Sequence, residues 1–241
     1  MILKQQDSMT IEKKYILSPS ALNNFQECKR CWWLTKNSDW EQPTSPFPSL
    51  PTGVDRVLKI HYDKFRTKKL LPSEISTHPK YKTLKPFPDQ TKLENYRRSF
   101  WRKKKIEEKG LAYKDEKLQS ILHGGIDELL ETSNGKLVVL DYKTRGTPPN
   151  EDTIEWSRLQ LNTYSFLLQK LGYKTENYAL LIYYWPEKIK LNGDLQFSTE
   201  IKEINIDIDL VLSTWKDAVN TINSTSCPKT TCQWCEYVPQ P

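Results

Sequence analysis

Two aspartates and a lysine lie on neighbouring apolar-rich runs of the chain. Asp127 belongs to the first run, and Asp141 and Lys143 belong to the second, LVVLDYKT. Residues 133–135, Ser-Asn-Gly, join the runs, and Asn-Gly is favoured in tight hairpin turns because both residues tolerate a positive φ. The sequence therefore predicts a β-hairpin that carries two carboxylates and an ammonium group.

The length of the hairpin loop decides which of these side chains share a face. A two-residue loop places Asp127 opposite Tyr142 and scatters the charges over both faces. A three-residue loop, 133–135, closed by a left-handed glycine, places Asp127 opposite Asp141, on the face that carries Lys143. We predict the three-residue loop.

Opposed aspartates suit a divalent metal. Directly opposed Cβ atoms lie roughly 5 Å apart, and two like charges at that separation repel unless a cation lies between them. Carboxylate oxygens that leave positions open for water and a phosphate oxygen suit Mg²⁺ or Mn²⁺. Lys143 would then orient a water or stabilise charge on a phosphate. The other interpretation is an amphipathic hairpin with an ordinary surface ion pair.

Five cysteines lie near the two ends of the chain in spacings that suit a metal. Cys28 and Cys31 form one C-x-x-C pair, Cys232 and Cys235 form another, and Cys227 precedes the second pair. Two such pairs supply four thiolates for zinc or an iron–sulfur cluster. We predict these two pairs as the ligands, with Cys227 either unused or in place of Cys31. The alternative is a group of buried free cysteines.

The order of these groups resembles the PD-(D/E)xK nuclease superfamily, specifically its RecB-like branch, which includes CRISPR-associated exonucleases. Three segments carry the resemblance, in chain order Gly125-Ile126-Asp127, residues 141–144 (DYKT) and Gln160-x-x-x-Tyr164. The resemblance covers nearly the whole chain. It implies a restriction-endonuclease-like α/β core and a metal-dependent nuclease that hydrolyses DNA.

The resemblance also implies a role for each motif. The implied catalytic residues are Asp127, Asp141, Lys143, Gln160 and Tyr164. The implied ligands of the catalytic Mg²⁺ or Mn²⁺ are His61, Asp127, Asp141 and Tyr142. Related nucleases often hold a structural [4Fe-4S] cluster in cysteines placed before and after the core. The same role is therefore expected here for Cys28, Cys31, Cys232 and Cys235, with a structural zinc ion as the alternative.

His61 is expected on the apolar face of a helix over residues 53–65. That predicted face comprises Val54, Val57, Leu58, His61 and Phe65. A lone histidine in such a position is ordinarily a core residue. The interval from Gly53 to His61 is, however, similar to the first motif of the RecB-like branch, in which a helical histidine binds the catalytic metal.

Residues 66–119 form a lysine-rich insertion, with a helix predicted over 92–109. Basic residues and the aromatic residues Tyr96, Phe100 and Trp101 interleave there, a combination found in single-strand binding channels. The same rings equally fit the packed face of a solvated helix, and both interpretations stay open. The predicted nucleic-acid contacts are Arg97, Arg98, Arg102, Lys103, Lys104 and Lys105.

The predicted architecture is a mixed β-sheet flanked by helices, with the basic helical insertion and a cysteine metal site that joins the termini. We expect a single domain, 1–241, because this length supports one core. It is divided into cysteine segments 15–36 and 225–237, the insertion 66–119 and a catalytic core 120–206. Further elements are predicted as follows: a single helix from Ser18 through Cys31, a strand between 113 and 123, helices 151–171 and 209–222, and strands 178–185 and 197–206.

Composition narrows the expected partners. The net charge of +6 favours a polyanion such as DNA. No apolar run is long enough to cross a membrane and no signal peptide is evident, which predicts a cytoplasmic protein. The chain has no phosphate-binding ATPase loop, so a helicase, or a CRISPR or repair protein, would be a partner. The expected substrate is single-stranded DNA or DNA with free ends, in repair, recombination or CRISPR-type defence; the alternative function is a non-catalytic nucleic-acid-binding module.

Overall fold

A computed structural model describes residues 15–43, 49–98 and 110–238. The helices are α1 (Pro19–Glu27), α2 (Lys29–Asn37), α3 (Ser49–Thr67), α4 (Ser73–Ser76), α5 (Gln90–Arg97), α6 (Glu151–Lys170) and α7 (Ile208–Ile222), and a 3-10 helix spans Gln233–Tyr237. The strands are β1 (Tyr15–Leu17), β2 (Lys85–Pro86), β3 (Leu111–Asp115), β4 (Ser120–Gly124), β5 (Glu128–Glu131), β6 (Leu137–Thr144), β7 (Tyr178–Ile189) and β8 (Leu195–Asn205).

The strands form two sheets. The larger has the order β2-β5-β6-β7-β8, with β6 and β7 parallel and the other neighbours antiparallel. The smaller has the order β1-β4-β3, with β1 parallel to β4. The predicted mixed α/β architecture is thus confirmed, and the strand expected between 113 and 123 is β4. The strand predicted at 197–206 is β8, at the edge of the larger sheet.

Helices cover both faces of the larger sheet. Successive residues of a strand point to opposite faces, so each strand contributes side chains to both. The α3 face packs strand side chains against α3, namely Leu140, Tyr142, Ile182 and Tyr184 with Leu58 and Tyr62. The α6 face packs strand side chains against α6 and α7, namely Val139, Leu181 and Tyr183 with Leu167 and Trp215. By the same alternation, Asp141 points to the α6 face.

The hairpin between β5 and β6 has the predicted three-residue loop. The amide N of Thr132 donates to the carbonyl of Lys136 at 2.9 Å, and the amide N of Gly135 donates to the carbonyl of Thr132 at 3.0 Å. Gly135 has a φ of +75°, which glycine adopts without a steric cost. Glu128 consequently pairs with Leu140, as the predicted register requires.

The single helix predicted from Ser18 through Cys31 is wrong, because the chain breaks at Cys28. Ser18 caps α1 as expected, its hydroxyl oxygen accepting from the amide of Ala21 at 3.3 Å. Cys28 is extended, with φ −157° and ψ 109°, and α2 starts directly after it. The ring N–H of Trp32 donates to the carbonyl of Ala218 at 3.1 Å and so attaches α2 to α7. The break turns α2 towards the C-terminal cysteines.

The predicted apolar face of the helix at 53–65 is partly wrong. The helix is α3 and begins earlier, at Ser49. Val57 is 60% exposed, whereas Leu58 and Tyr62 are buried. The ring of Tyr62 stacks on that of Tyr142 with centroids 4.5 Å apart. The i, i+4 row through Leu58 and Tyr62 faces the sheet, because these two side chains match the strand surface below them.

The basic insertion is only partly helical in the region that the structure describes. It contains α4, β2 and α5, which ends at Arg97. Tyr96 is 7% exposed, and its hydroxyl lies 3.1 Å from that of Tyr173, so this ring is packed in the core. The other predicted contacts lie outside the described residues: Phe100, Trp101, Arg102, Lys103, Lys104 and Lys105. Among the described helices, none is long and apolar enough to cross a bilayer.

Gly124 of β4 lies against Tyr164 of α6, and an added Cβ would stand 2.5 Å from Cε1 and 2.7 Å from Cδ1 of the ring. Gly124→Ala is expected to lower the free energy of unfolding by roughly 1–3 kcal/mol, as overpacking does. Urea denaturation measures the change. Gly53→Ala in α3 is the matched control, because nothing lies within 4 Å of its added Cβ, and it should stabilise the helix by roughly 0.5–1 kcal/mol. A fully stable Gly124→Ala protein would contradict the close contact.

Candidate functional site

The hairpin brings the two aspartates and the lysine together. Since Glu128 pairs with Leu140, the same register places Asp127 opposite Asp141 at the mouth of the hairpin. The side chain of Asp141 is 1% exposed, and its Oδ2 lies 2.7 Å from Nζ of Lys143. The predicted acid pair and its lysine therefore occupy one face of the sheet, the α6 face.

The electrostatics of the acid pair favour a bound cation. Burial, and then the charge of Asp141, raise the pKa of Asp127 to about 8, against the opposing charges of Lys143 and Lys59. Burial works against the charge of Lys143, but Asp141 and Asp127 outweigh it and raise the lysine pKa above its ordinary value. Two carboxylates at one buried site form a donor set that a divalent cation satisfies.

Gln160 and Tyr164 reach the acid pair from α6. Their i, i+4 spacing puts them on one side of the helix. The amide Nε2 of Gln160 donates to the hydroxyl of Tyr164 at 2.7 Å and lies 3.5 Å from Oδ1 of Asp141. Tyr164 is 4% exposed, and burial followed by the charge of Asp141 raises its pKa. The structure thus brings Gln160 and Tyr164 of α6 together with Asp141 of β6.

Two charged residues of α3 act on the site and were not anticipated from the sequence. Lys59 and Asp55 form an ion pair at 2.8 Å. The charge of Lys59 lowers the pKa of Asp127, and that of Asp55 raises the pKa of Lys143. Their i, i+4 spacing was visible in the sequence, but such pairs are common on exposed helices and carry no sign of a site.

His61 lies beside Glu74 in the structure. Its Nε2 is 3.4 Å from Oε1 of Glu74 without hydrogen-bond geometry. The same Glu74 oxygen accepts from the hydroxyl of Tyr184 at 2.9 Å. Within the described part of the chain, His61 does not complete a set with Asp127 and Asp141 in which all ligand atoms lie within 4.8 Å of one another. Its role as a ligand therefore stays a prediction.

The side chain of Tyr142 points away from the acid pair. It is 2% exposed, stacks on Tyr62 and belongs to the α3 face. Its hydroxyl is buried without a hydrogen-bond partner. Because Asp141 points to the α6 face, the main-chain carbonyl is the one Tyr142 oxygen left to serve a metal at that site.

The two described arginines of the predicted nucleic-acid surface differ in exposure. Arg97 is 14% exposed, and its Nη1 lies 3.2 Å from both Asp63 and Glu94. Its charge is therefore neutralised within the protein. Arg98 pairs with Glu94 as well, but its side chain is 58% exposed. Of these two, Arg98 is the one available to a phosphate.

Four cysteines from the two ends of the chain converge. Their Sγ atoms lie within 4.8 Å of one another, and Cys227 is not part of the group. The Sγ of Cys31 is 3.6 Å from that of Cys232 and 3.5 Å from that of Cys235, and the Sγ of Cys28 is 3.8 Å from that of Cys235. Four thiolates bound at about 2.3 Å to one tetrahedral ion stand roughly 3.8 Å apart. The group therefore fits a metal.

Local structure positions each pair of cysteines. The break at Cys28 leaves its thiol beside that of Cys31 in the first turn of α2, while Cys232 caps the 3-10 helix and Cys235 lies within it. The hydroxyl of Thr230 accepts from the amide of Arg30 at 3.1 Å, next to the thiols. The two ends of the described chain are thus held together at this group.

One comparison with known proteins agrees with this site. A family model of the PD-(D/E)XK nuclease superfamily matches residues 16–240. A search of curated proteins found no significant match. The matched residues include the acid pair, the lysine and all four clustered cysteines. The chain therefore belongs to the PD-(D/E)XK nuclease superfamily.

Proposed function

We propose that this protein is a divalent-metal-dependent deoxyribonuclease of the RecB-like branch, acting as an exonuclease. The observation that carries the proposal is the acid pair, half-buried Asp127 opposite buried Asp141, with Nζ of Lys143 2.7 Å from Asp141, in a chain of this family. A non-catalytic binding module has no need for two opposed carboxylates, one of them buried, which cost stability unless they are compensated.

Each side chain at the site has a proposed part in the hydrolysis. Asp127 and Asp141 would hold Mg²⁺ or Mn²⁺, which supplies Lewis-acid stabilisation of the phosphate and an acidified water. Lys143 donates to a phosphate oxygen and stabilises the charge that develops in the transition state. Gln160 bridges Asp141 and Tyr164, which fixes the orientation of the carboxylate.

The proposed substrate is DNA that is single-stranded or has free ends. The exposed Arg98 and the basic residues 102–105 support it, since cations that neutralise phosphates provide most sequence-independent affinity. We propose a cytoplasmic protein that works with a helicase, or with a CRISPR or repair protein, in DNA repair, recombination or defence. The absence of an ATPase loop from the sequence supports a separate motor.

The cysteine group is proposed to be a structural metal site. The family resemblance supports a [4Fe-4S] cluster. Sulfur separations of 3.5 to 3.9 Å around Cys31 and Cys235 support a single ion such as zinc, because the thiolates of a cluster bind different irons and stand further apart. We give the spacing more weight, since it belongs to this chain.

Asp127→Asn and Asp141→Asn should each reduce DNA cleavage at least about 100-fold, because a ligand charge is lost from the metal site. Binding should persist, since the basic surface is unchanged. Cleavage is measured as the degradation of end-labelled single- and double-stranded DNA with Mn²⁺. Binding is measured by fluorescence anisotropy of the DNA in Ca²⁺. Asp209→Asn, on the exposed start of α7, is the matched control. Binding without any cleavage by the wild-type protein would favour the non-catalytic module.

His61→Ala separates the two interpretations of this histidine. If the imidazole binds the catalytic metal, calorimetric titration should show Mn²⁺ affinity reduced about tenfold or more, because imidazole is a favoured ligand for this softer ion. The thermal stability should then change little. A less stable protein with unchanged Mn²⁺ affinity would instead assign His61 to packing beside Glu74. Glu74→Gln serves as the companion variant, since it removes the charge beside His61 and leaves the imidazole in place.

Replacing Cys232 and Cys235 with serine should remove the metal and lower the melting temperature by at least about 5 °C. Limited proteolysis should then cut both ends of the chain more readily. Cys227→Ser is the matched control, because Cys227 lies outside the group. Metal analysis of protein purified without oxygen should find one zinc per chain. Iron with visible absorption would instead show an iron–sulfur cluster. A serine variant as stable as the wild-type protein, with no metal in either, would contradict both the zinc ion and the cluster.

A further inference from the structure

A cleft of about 380 Å³ opens beside the acid pair, between α1 and α6. Lys143 and Gln160, which both contact Asp141, form part of its wall. Asn23 and Asn24 of α1 line the opposite side. The cleft therefore leads from the surface to the groups proposed to carry out the hydrolysis.

The cleft is built to receive an anion. Lys143 and Arg145 supply two cations, and no carboxylate lines it among the residues that the structure describes. The backbone N of Arg145 donates to the carbonyl of Tyr184 at 2.9 Å, and its Nη1 donates to the hydroxyl of Thr153. A guanidinium fixed in this way at the wall of the cleft is suited to a phosphate.

The cleft also presents an aromatic platform. Trp156 is 58% exposed although its ring is large and apolar. Its carbonyl accepts from Nδ2 of Asn23 at 3.1 Å, which holds α1 and α6 together at this point. Trp156, Gln160 and Tyr164 follow one another at i, i+4 and i+8 on α6, so a single row leads from the exposed ring to the acid pair.

We propose that this cleft binds one unpaired nucleotide of the substrate strand, next to the scissile phosphate. Arg145 takes the phosphate of that nucleotide, and Trp156 stacks on its base. The volume accommodates a small ligand and leaves no room for a base pair with two backbones. Stacking accepts every base, so the cleft selects single strands or frayed ends without sequence preference. The inference rests on the proposed nuclease function and names the residues that bind an unpaired nucleotide of its substrate.

The test pairs a protein change with a matching DNA change. The substrates are oligothymidylates that each carry one abasic residue, placed at a different position in each strand. Their binding is measured in Ca²⁺ and their cleavage in Mn²⁺. With wild-type protein, one abasic position should weaken binding by roughly tenfold, the usual worth of a base on an aromatic ring. Trp156→Ala should weaken binding of the intact strand by a similar factor and abolish the position dependence. Trp156→Phe should retain it.

Arg145 is tested in the same way with one neutral methylphosphonate linkage per strand. Arg145→Gln should weaken binding of the intact strand and remove the penalty that one linkage imposes on the wild-type protein.

Leu191→Ala is the control for a lost exposed apolar side chain, because Leu191 is fully exposed and does not line the cleft. It should behave as wild type throughout.

The outcomes separate this proposal from the nuclease assignment. Normal cleavage together with an unchanged abasic penalty in Trp156→Ala overturns the cleft proposal and leaves the nuclease in place. A position-dependent penalty that Trp156→Ala removes, in a wild-type protein that cleaves nothing, supports the cleft and overturns the nuclease. Equal affinity of wild-type protein for a blunt duplex and for the single strand also overturns the cleft, since a paired base cannot enter it.

Discussion

The opposition of two carboxylates across one hairpin, Asp127 and the buried Asp141, is the constraint on which the rest of the structure depends. It follows from a single loop length: one residue fewer between β5 and β6 would place Asp127 against Tyr142 and disperse the pair. Gly135 makes the longer loop possible through its positive φ of 75°. The ion pair of Lys143 with Asp141, and the charge of Lys59 from α3, then offset part of the repulsion.

The sheet separates the chemistry from the packing that holds it in place. The acid pair faces α6, while the neighbouring residue Tyr142 stacks on Tyr62 of α3 on the reverse side. Glu128, directly after Asp127, accepts from Nε and Nη2 of Arg66 at 3.0 Å on that reverse side. A buried ion pair adjacent to Asp127 fixes the strand from the α3 face, and it does so without occupying the site proposed for catalysis.

Features governed by local sequence could be predicted, and those governed by tertiary contacts could not. The hairpin, its register and the ends of α6 follow from turn residues and helix caps, as at Asn150, whose side chain accepts from the amide of Thr153 at 3.1 Å. The break at Cys28 could not be predicted from the sequence, because the residues on both sides of it have the pattern of one continuous helix. The face of α3 was misplaced because Val57 and Leu58 are equally apolar, and only the surface of the sheet selects between them.

The cysteine group also imposes an order on the maturation of the protein. Cys28 and Cys31 leave the ribosome about two hundred residues before Cys232 and Cys235, so the four cysteines can meet only after the hairpin and α6 have been made. Helix α1, which forms one wall of the cleft, ends at the first of these ligands. Its attachment to the C-terminal segment is therefore among the last to form. A partly synthesised chain can therefore oppose its two aspartates, and join α1 to α6 through Asn23, before the cysteine group is complete.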